Sequence, residues 1–171
     1  MKMKQVYGKV GFTLIELLLV VIFISLLAVG VFVALSPAKR ISDTKNSRRS
    51  QDVTTILSAI HQSVVDNRGT LPTKLATLTA GREMQIGTAT SGCAISGGTC
   101  NVLGGTDCID LMTDTDAPQN LINYLATMPI DPTGTPGYDS SRTGYSVVVS
   151  TVGIVTVKSC AAEGTTIVVS R

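Results

Sequence analysis

Residues 11–16 read Gly11-Phe12-Thr13-Leu14-Ile15-Glu16, and the apolar run they open continues to Leu35 with Glu16 as its single charge. A carboxylate in a membrane helix costs about 2.5–3.5 kcal/mol on insertion scales at the helix centre, and less near an end. A positive partner at the same depth is the simplest compensation. A free amino terminus, created by cleavage after Gly11, would supply one. Working outward, residues 12–35 form a run of 24 residues. As a helix that is roughly 36 Å long, enough to cross a hydrocarbon core of about 30 Å with some tilt. A cleaved secretory signal fits poorly: its apolar core is about 7–15 residues, and no Ala-x-Ala-like site follows this run. A signal anchor remains the plain alternative.

Ahead of the run lies a short leader with Lys2, Lys4 and Lys9 and no acid. This leader, with Gly11, Phe12, Thr13, Leu14, Ile15 and Glu16, resembles the processing site of type IV pilins and type II secretion pseudopilins. In that family a prepilin peptidase cuts after the glycine and methylates the new phenylalanine amine. The resemblance implies that Gly11 and Phe12 flank the processed bond. It also implies that Glu16 guides assembly, and that the mature chain polymerises through its N-terminal helix. It points to a prepilin peptidase, an inner-membrane assembly platform and further copies of the chain as partners, with membrane lipid around the helix before assembly.

Charge counting leans against the orientation this requires. Lys39, Arg40, Lys45, Arg48 and Arg49 follow the run and outnumber the leader lysines, whereas positive charge favours the cytoplasmic side. The leader is placed inside on the family resemblance and on the cysteines, all of which follow the run. The chain then starts as a single-pass protein of the cytoplasmic membrane and ends in an extracellular pilus, or in a periplasmic pseudopilus.

The whole chain of 171 residues is 44% hydrophobic, 4% aromatic and 15% charged, which suits one modest domain beside a membrane segment. A net charge of +2 argues against a strongly basic nucleic-acid binder. Loss of the leader takes it to −1, a near-neutral surface on which copies pack without large self-repulsion.

Gly30 interrupts the run and Ser36-Pro37 closes it, so the helix is expected to kink or loosen between Gly30 and Pro37. Beyond, Val53, Ile56, Leu57, Ile60 and Val64 fall on one stripe of a helix. Arg48, Arg49, Asp52, Gln62 and Asp66 are assigned to the opposite face. Gly69 is the expected left-handed cap. His61, the only histidine, is read as a helix-surface residue, not a metal ligand.

From Thr70 to Gln119 there is little periodicity and much glycine and threonine, with a short element possible around Leu75 and a short helix over 121–125. Strands are expected at 144–150, 153–158 and 165–170, where Val147, Val148, Val149, Ile154, Val155, Val157, Ile167, Val168 and Val169 supply β-branched residues. The Pro129-Ile130-Asp131-Pro132 run, followed by Gly137-Tyr138 and Thr143-Gly144-Tyr145, is also pilin-like.

Cys93, Cys100, Cys108 and Cys160 form no Cys-x-x-Cys pair, so zinc is poorly supported. Two disulfides are expected in an exported domain. Three connectivities are open, with Cys93–Cys100 and Cys108–Cys160 preferred. Asp114, Asp116, Asp131 and Asp139 match no EF-hand-like spacing and are read as solvated loop acids, so no metal or other cofactor is called for. One histidine, no Gly-x-Ser-x-Gly and no phosphate-binding glycine loop leave no enzyme constellation.

The expected fold class is α+β and type IV pilin-like: a long N-terminal helix, membrane-spanning in its first half and amphipathic in its second, packed on a small antiparallel sheet. The expected divisions are the leader at 1–11, the apolar half-helix at 12–36, the amphipathic half-helix at 37–69, a variable loop region at 70–128 and the sheet at 129–171. The expected function is that of a structural subunit of a type IV pilus-like filament. The alternatives are a type II secretion pseudopilin and a minor pilin or adhesin, and DNA or a surface ligand is left open as a partner.

Overall fold

The computed structural model describes residues 11–113, 121–133 and 137–171. The leader lysines, Asp114, Asp116 and Gln119 lie outside the described residues. The chain divides into two compact units at Ile41 and Ser42.

Helix α1 spans Leu14–Leu35. Thr13 caps it with extended backbone (φ −78°, ψ 151°), and its side chain accepts a hydrogen bond from the Glu16 N–H. That satisfies one of the donors left free at a helix start. The helix ends at Leu35, two residues before Pro37, because proline disfavours the helical region for the residue that precedes it, Ser36. Ser36 takes the left-handed conformation instead (φ 41°, ψ 69°). Its carbonyl then accepts from Lys39 and Arg40, opening α2 over Pro37–Asp66. Pro37 is thus the first residue of a helix, where its missing N–H costs nothing. The interruption expected somewhere between Gly30 and Pro37 falls on Ser36 alone, and Gly30 stays helical.

Helix α2 ends in a Schellman-type motif. Gly69 N–H donates to the Val64 carbonyl at 2.8 Å and Arg68 N–H to that of Val65 at 3.3 Å. The expected cap is corrected in detail: Arg68 already enters the left-handed region (φ 57°), and Gly69 follows it at φ 87°. The apolar stripe is buried as expected, with Val53, Ile56 and Ile60 at 0% exposure and Val64 packed against the core.

A short helix, α3, occupies Thr73–Ala76. Seven strands follow among the described residues: β1 (Glu83–Ile86), β2 (Ile95–Gly97), β3 (Cys100–Val102), β4 (Cys108–Ile109), β5 (Tyr145–Val149), β6 (Val155–Ser159) and β7 (Val168–Ser170). A single 3₁₀ turn covers Leu121–Asn123. The main sheet has the order β4-β1-β5-β6-β7, and β2 and β3 form a separate hairpin. Strands β5, β6 and β7 are the expected antiparallel meander: β5 is one residue shorter at each end, β6 starts two residues later and reaches Ser159, and β7 starts three residues later. The core joins α2 to Leu75, Ile86, Ile109, Tyr145, Val147 and Val157. Each such fully buried aliphatic side chain stabilises the fold by about 1.5–3 kcal/mol.

Three expectations change. The stretch taken as loop at 70–128 holds β1 to β4. The sheet is mixed, because β4 runs parallel to β1 with Gln85 opposite Cys108. The disulfides are Cys93–Cys108 and Cys100–Cys160, and no cysteine is free. Hairpin register explains the pairing: Ile95 opposes Val102 and Gly97 opposes Cys100. Extended back, that register sets Cys93 across from Gly104, not Cys100. The Cys93 N–H donates to the Gly105 carbonyl at 2.9 Å, which brings Cys93 beside the start of β4. Cys100 lies against the main sheet, with its sulfur 3.1 Å from Ser146 Oγ, and Cys160 follows β6 directly.

Candidate functional site

Helix α1 carries the features that the sequence singled out. Among the described residues it heads the one stretch long and apolar enough to cross a membrane, with a mean hydropathy of 3.2 over its best window and none of that window buried. Its apolar side chains point all round: Leu14 is 84% exposed, Leu27 71% and Phe32 68%. A helix hydrophobic on every side belongs in lipid or inside an assembly.

At its start, Gly11 and Phe12 lie in exposed, non-helical backbone, two residues ahead of the first helical residue. The bond between them is therefore open to a protease without helix unwinding. Glu16 sits in the first turn, where the exposed N–H groups of the helix favour an anion by about 0.3–1 kcal/mol. Thr13 belongs to the quoted motif without a capping role assigned to it, although Thr-x-x-Glu before an apolar run is a capping-box pattern that flags one. Among the described residues no cation pairs with Glu16, which leaves its carboxylate open to a partner from outside the chain.

The second unit holds three of the basic residues that follow the apolar run, Lys45, Arg48 and Arg49. Arg49, expected on the solvent face, is fully buried, and so is Asp131, expected as a solvated loop acid. Arg49 Nε donates to Asp131 Oδ2 at 2.9 Å and Nη2 to Oδ1 at 3.0 Å, a two-point pairing. Its remaining donors reach Asn46 Oδ1 at 2.9 Å, Thr133 Oγ1 at 3.0 Å and Glu163 Oε1 at 3.4 Å. Burial works against the Arg49 charge, and the Asp131 and Glu163 carboxylates together outweigh it, so the guanidinium is held charged. Lys45 approaches Glu163 at 3.8 Å, and Arg48 approaches Asp52 at 3.8 Å. Of these cations Arg49 is committed to folding this unit, and Lys45 and Arg48 make surface pairs. That weakens their weight as an orientation signal.

Beside the Arg49 cluster, the Tyr145 hydroxyl donates to Asp52 Oδ2 at 2.7 Å. Burial, reinforced by the Asp52 carboxylate, pushes this phenol far above its ordinary range. His61 is half-buried instead of lying on the surface, with Nε2 enclosed and without a hydrogen-bond partner among the described residues. Asp139 remains exposed, its carboxylate accepting from the backbone N–H groups of Ser141 and Arg142.

The structure thus gathers Gly11, Phe12 and Glu16 at one helix start, and ties Cys93, Cys100, Cys108 and Cys160 into the second unit. Comparison with family models, with curated proteins and with solved structures gives no match.

Proposed function

We propose that this chain is a type IV pilin-like subunit, cut after Gly11 and polymerised through α1. The observation that carries the reading is a lone carboxylate, Glu16, in the first turn of a helix that is otherwise uncharged, apolar on all sides and unburied. It lies five positions after an exposed Gly11. In this reading α1 rests in the cytoplasmic membrane before assembly and in the filament core afterwards. Neighbouring helices pack through Leu, Ile and Val side chains, whose attraction is non-directional and sets no axial register.

Glu16 supplies the register. Its carboxylate pairs with the Phe12 amine of a neighbouring subunit already in the filament. Two unit charges 4 Å apart attract by about 1 kcal/mol in water and about 4 kcal/mol at an effective dielectric constant near 20. The pairing is therefore weak in solution and strong in the fibre core. Two disulfides in the second unit support an exported location. A secretion pseudopilin would use the same helix; the pilus reading is favoured because Asp131, the acid of the Pro-x-Asp-Pro run, is taken up by Arg49 and not left for a cation.

The test compares Glu16→Ala and Glu16→Asp, each as the only copy in the cell. Glu16→Ala inserts and is processed, yet is lost from sheared filaments; Glu16→Asp assembles in part. Wild-type filament yield from Glu16→Ala would rule out the carboxylate as the register device.

A further inference from the structure

On β1, Ile86 joins the core, and alternation turns Gln85 to the other face of the sheet. There Gln85 lines a cavity of about 350 Å³ together with Gly92, Ile95, Tyr138 and Arg142. Gln85 is 1% exposed, and its Oε1 has no hydrogen-bond partner among the described residues. Buried polar atoms are nearly always paired, so an orphan acceptor of this kind calls for an explanation.

Two other polar groups at this cavity keep their hydrogen-bonding atoms free, although the Arg142 charge acts on the nearby Asp139 carboxylate. Neither the Tyr138 hydroxyl nor the Arg142 guanidinium makes a hydrogen bond or ion pair among the described residues. Asp139, the acid nearest in sequence to Arg142, is occupied by the backbone N–H groups of Ser141 at 2.9 Å and Arg142 at 3.0 Å. Burial raises the Tyr138 phenol above its ordinary range, so it stays a neutral donor.

Glycines hold the walls apart. Gly92 lies at φ +72°, and a Cβ there would stand 3.0 Å from Arg142 Nη1. Gly144 lies at φ +80°, and a Cβ there would meet the Tyr138 ring at 2.5 Å. Side chains at either position would displace the groups that face the cavity.

We propose that this cavity binds one unit of an acidic sugar, a pyranose bearing a carboxylate. Its volume is at the small end of ligand sites, which run from about 300 to 1,000 Å³, and suits one ring. A planar guanidinium matches a carboxylate with two parallel hydrogen bonds. The Tyr138 ring offers an apolar surface to the C–H face of the sugar. Gln85 Oε1 has no free surface at rest; with the side chain turned toward the opening, a sugar hydroxyl donates to it and removes the orphan. Binding at this site does not depend on filament formation.

The test is a titration of the isotopically labelled full chain in detergent micelles with galacturonate, galactose and inorganic phosphate. Galacturonate should give saturable shifts at Gln85, Gly92, Tyr138 and Arg142. Galactose should bind at least about tenfold more weakly, because it lacks the charge-assisted pair. Arg142→Gln should weaken galacturonate by at least about tenfold and leave galactose unchanged, with Arg142→Lys between the two. Arg142 is exposed to solvent, so the thermal unfolding midpoints of its variants should match that of the unsubstituted chain. Phosphate binding at these residues as tightly as galacturonate, the absence of a saturable shift, or unchanged affinity in Arg142→Gln would overturn the proposal.

Discussion

Helices α1 and α2 are both long, and they treat hydrophobic residues in opposite ways. Along α1 apolar side chains face every direction and stay exposed; along α2 the stripe from Val53 to Ile60 is buried, and Ile41 and Val65 off that stripe are exposed. The first segment has no internal use for its apolar surface, so its stability depends on what surrounds it. The second is held by its own core, two disulfides and a buried ion pair. Changes after Ser42 should therefore register in the unfolding of that unit, and changes in α1 should not.

The largest expected effect is at Arg49. Arg49→Met leaves the Asp131 carboxylate buried and unpaired, a loss of about 3–5 kcal/mol. Adding Asp131→Leu should restore part of it. Chemical unfolding of the full chain in micelles measures both, and the helicity of α1 should persist while the second unit melts. Next come the disulfides. Replacing Cys100 and Cys160 with serine should cost about 4 kcal/mol and replacing Cys93 and Cys108 about 3 kcal/mol. The first bridge spans 60 residues and the second 15, so the first restrains the unfolded chain more. An equal loss from the two pairs would show that strain or residual structure, not loop length, sets their value.

A smaller effect follows from pH. Hydrogen bonding to Arg82, with its positive charge, holds the Asp107 carboxyl below the ordinary range. The bond from Ser42, helped by Arg49 and Lys45, does the same for Glu163. Both carboxyls are depressed on folding, so their contribution is complete above the unfolded values of about 4 and is lost as pH falls through the folded ones. Tyr145 acts at the other end. Its folded value is raised, so its contribution is complete below about pH 10 and is lost above it. Unfolding midpoints from pH 2 to 11 should fall at both extremes. The smallest effect carries the opposite sign: Arg68→Gly relieves a left-handed arginine, a strain of about 1–2 kcal/mol, offset by about 0.4–1 kcal/mol of added freedom in the unfolded chain, so a small net gain in the stability of the second unit is expected.

Much of this arrangement was legible in the residues. A continuous apolar run and a stripe at helical spacing carry their own periodicity, and β5, β6 and β7 are rich in valine. Strand β1 was hidden because Glu83 and Gln85 are polar yet buried. The Glu83 carboxylate meets Ser146 Oγ and Lys158 Nζ, partners far off in sequence. Strands β2, β3 and β4 have three, three and two residues, too short for a pattern to emerge. Arg49 looked like an ordinary surface arginine because Asp131 lies 82 positions away. The cysteine pairing was missed for a related reason: it follows from hairpin register, which spacing alone does not specify. Gly11, Phe12 and Glu16 needed no distant partner to be noticed, since their signal is one charge at the head of an uncharged run.

The central claim is that α1 is made to be released from its leader and packed among copies of itself. The most direct measurement is the intact mass of the subunit recovered from sheared surface filaments. The account predicts a chain that begins at Phe12, carries one added methyl group and has all four cysteines oxidised. A subunit that begins at Met1 in assembled filaments would contradict it.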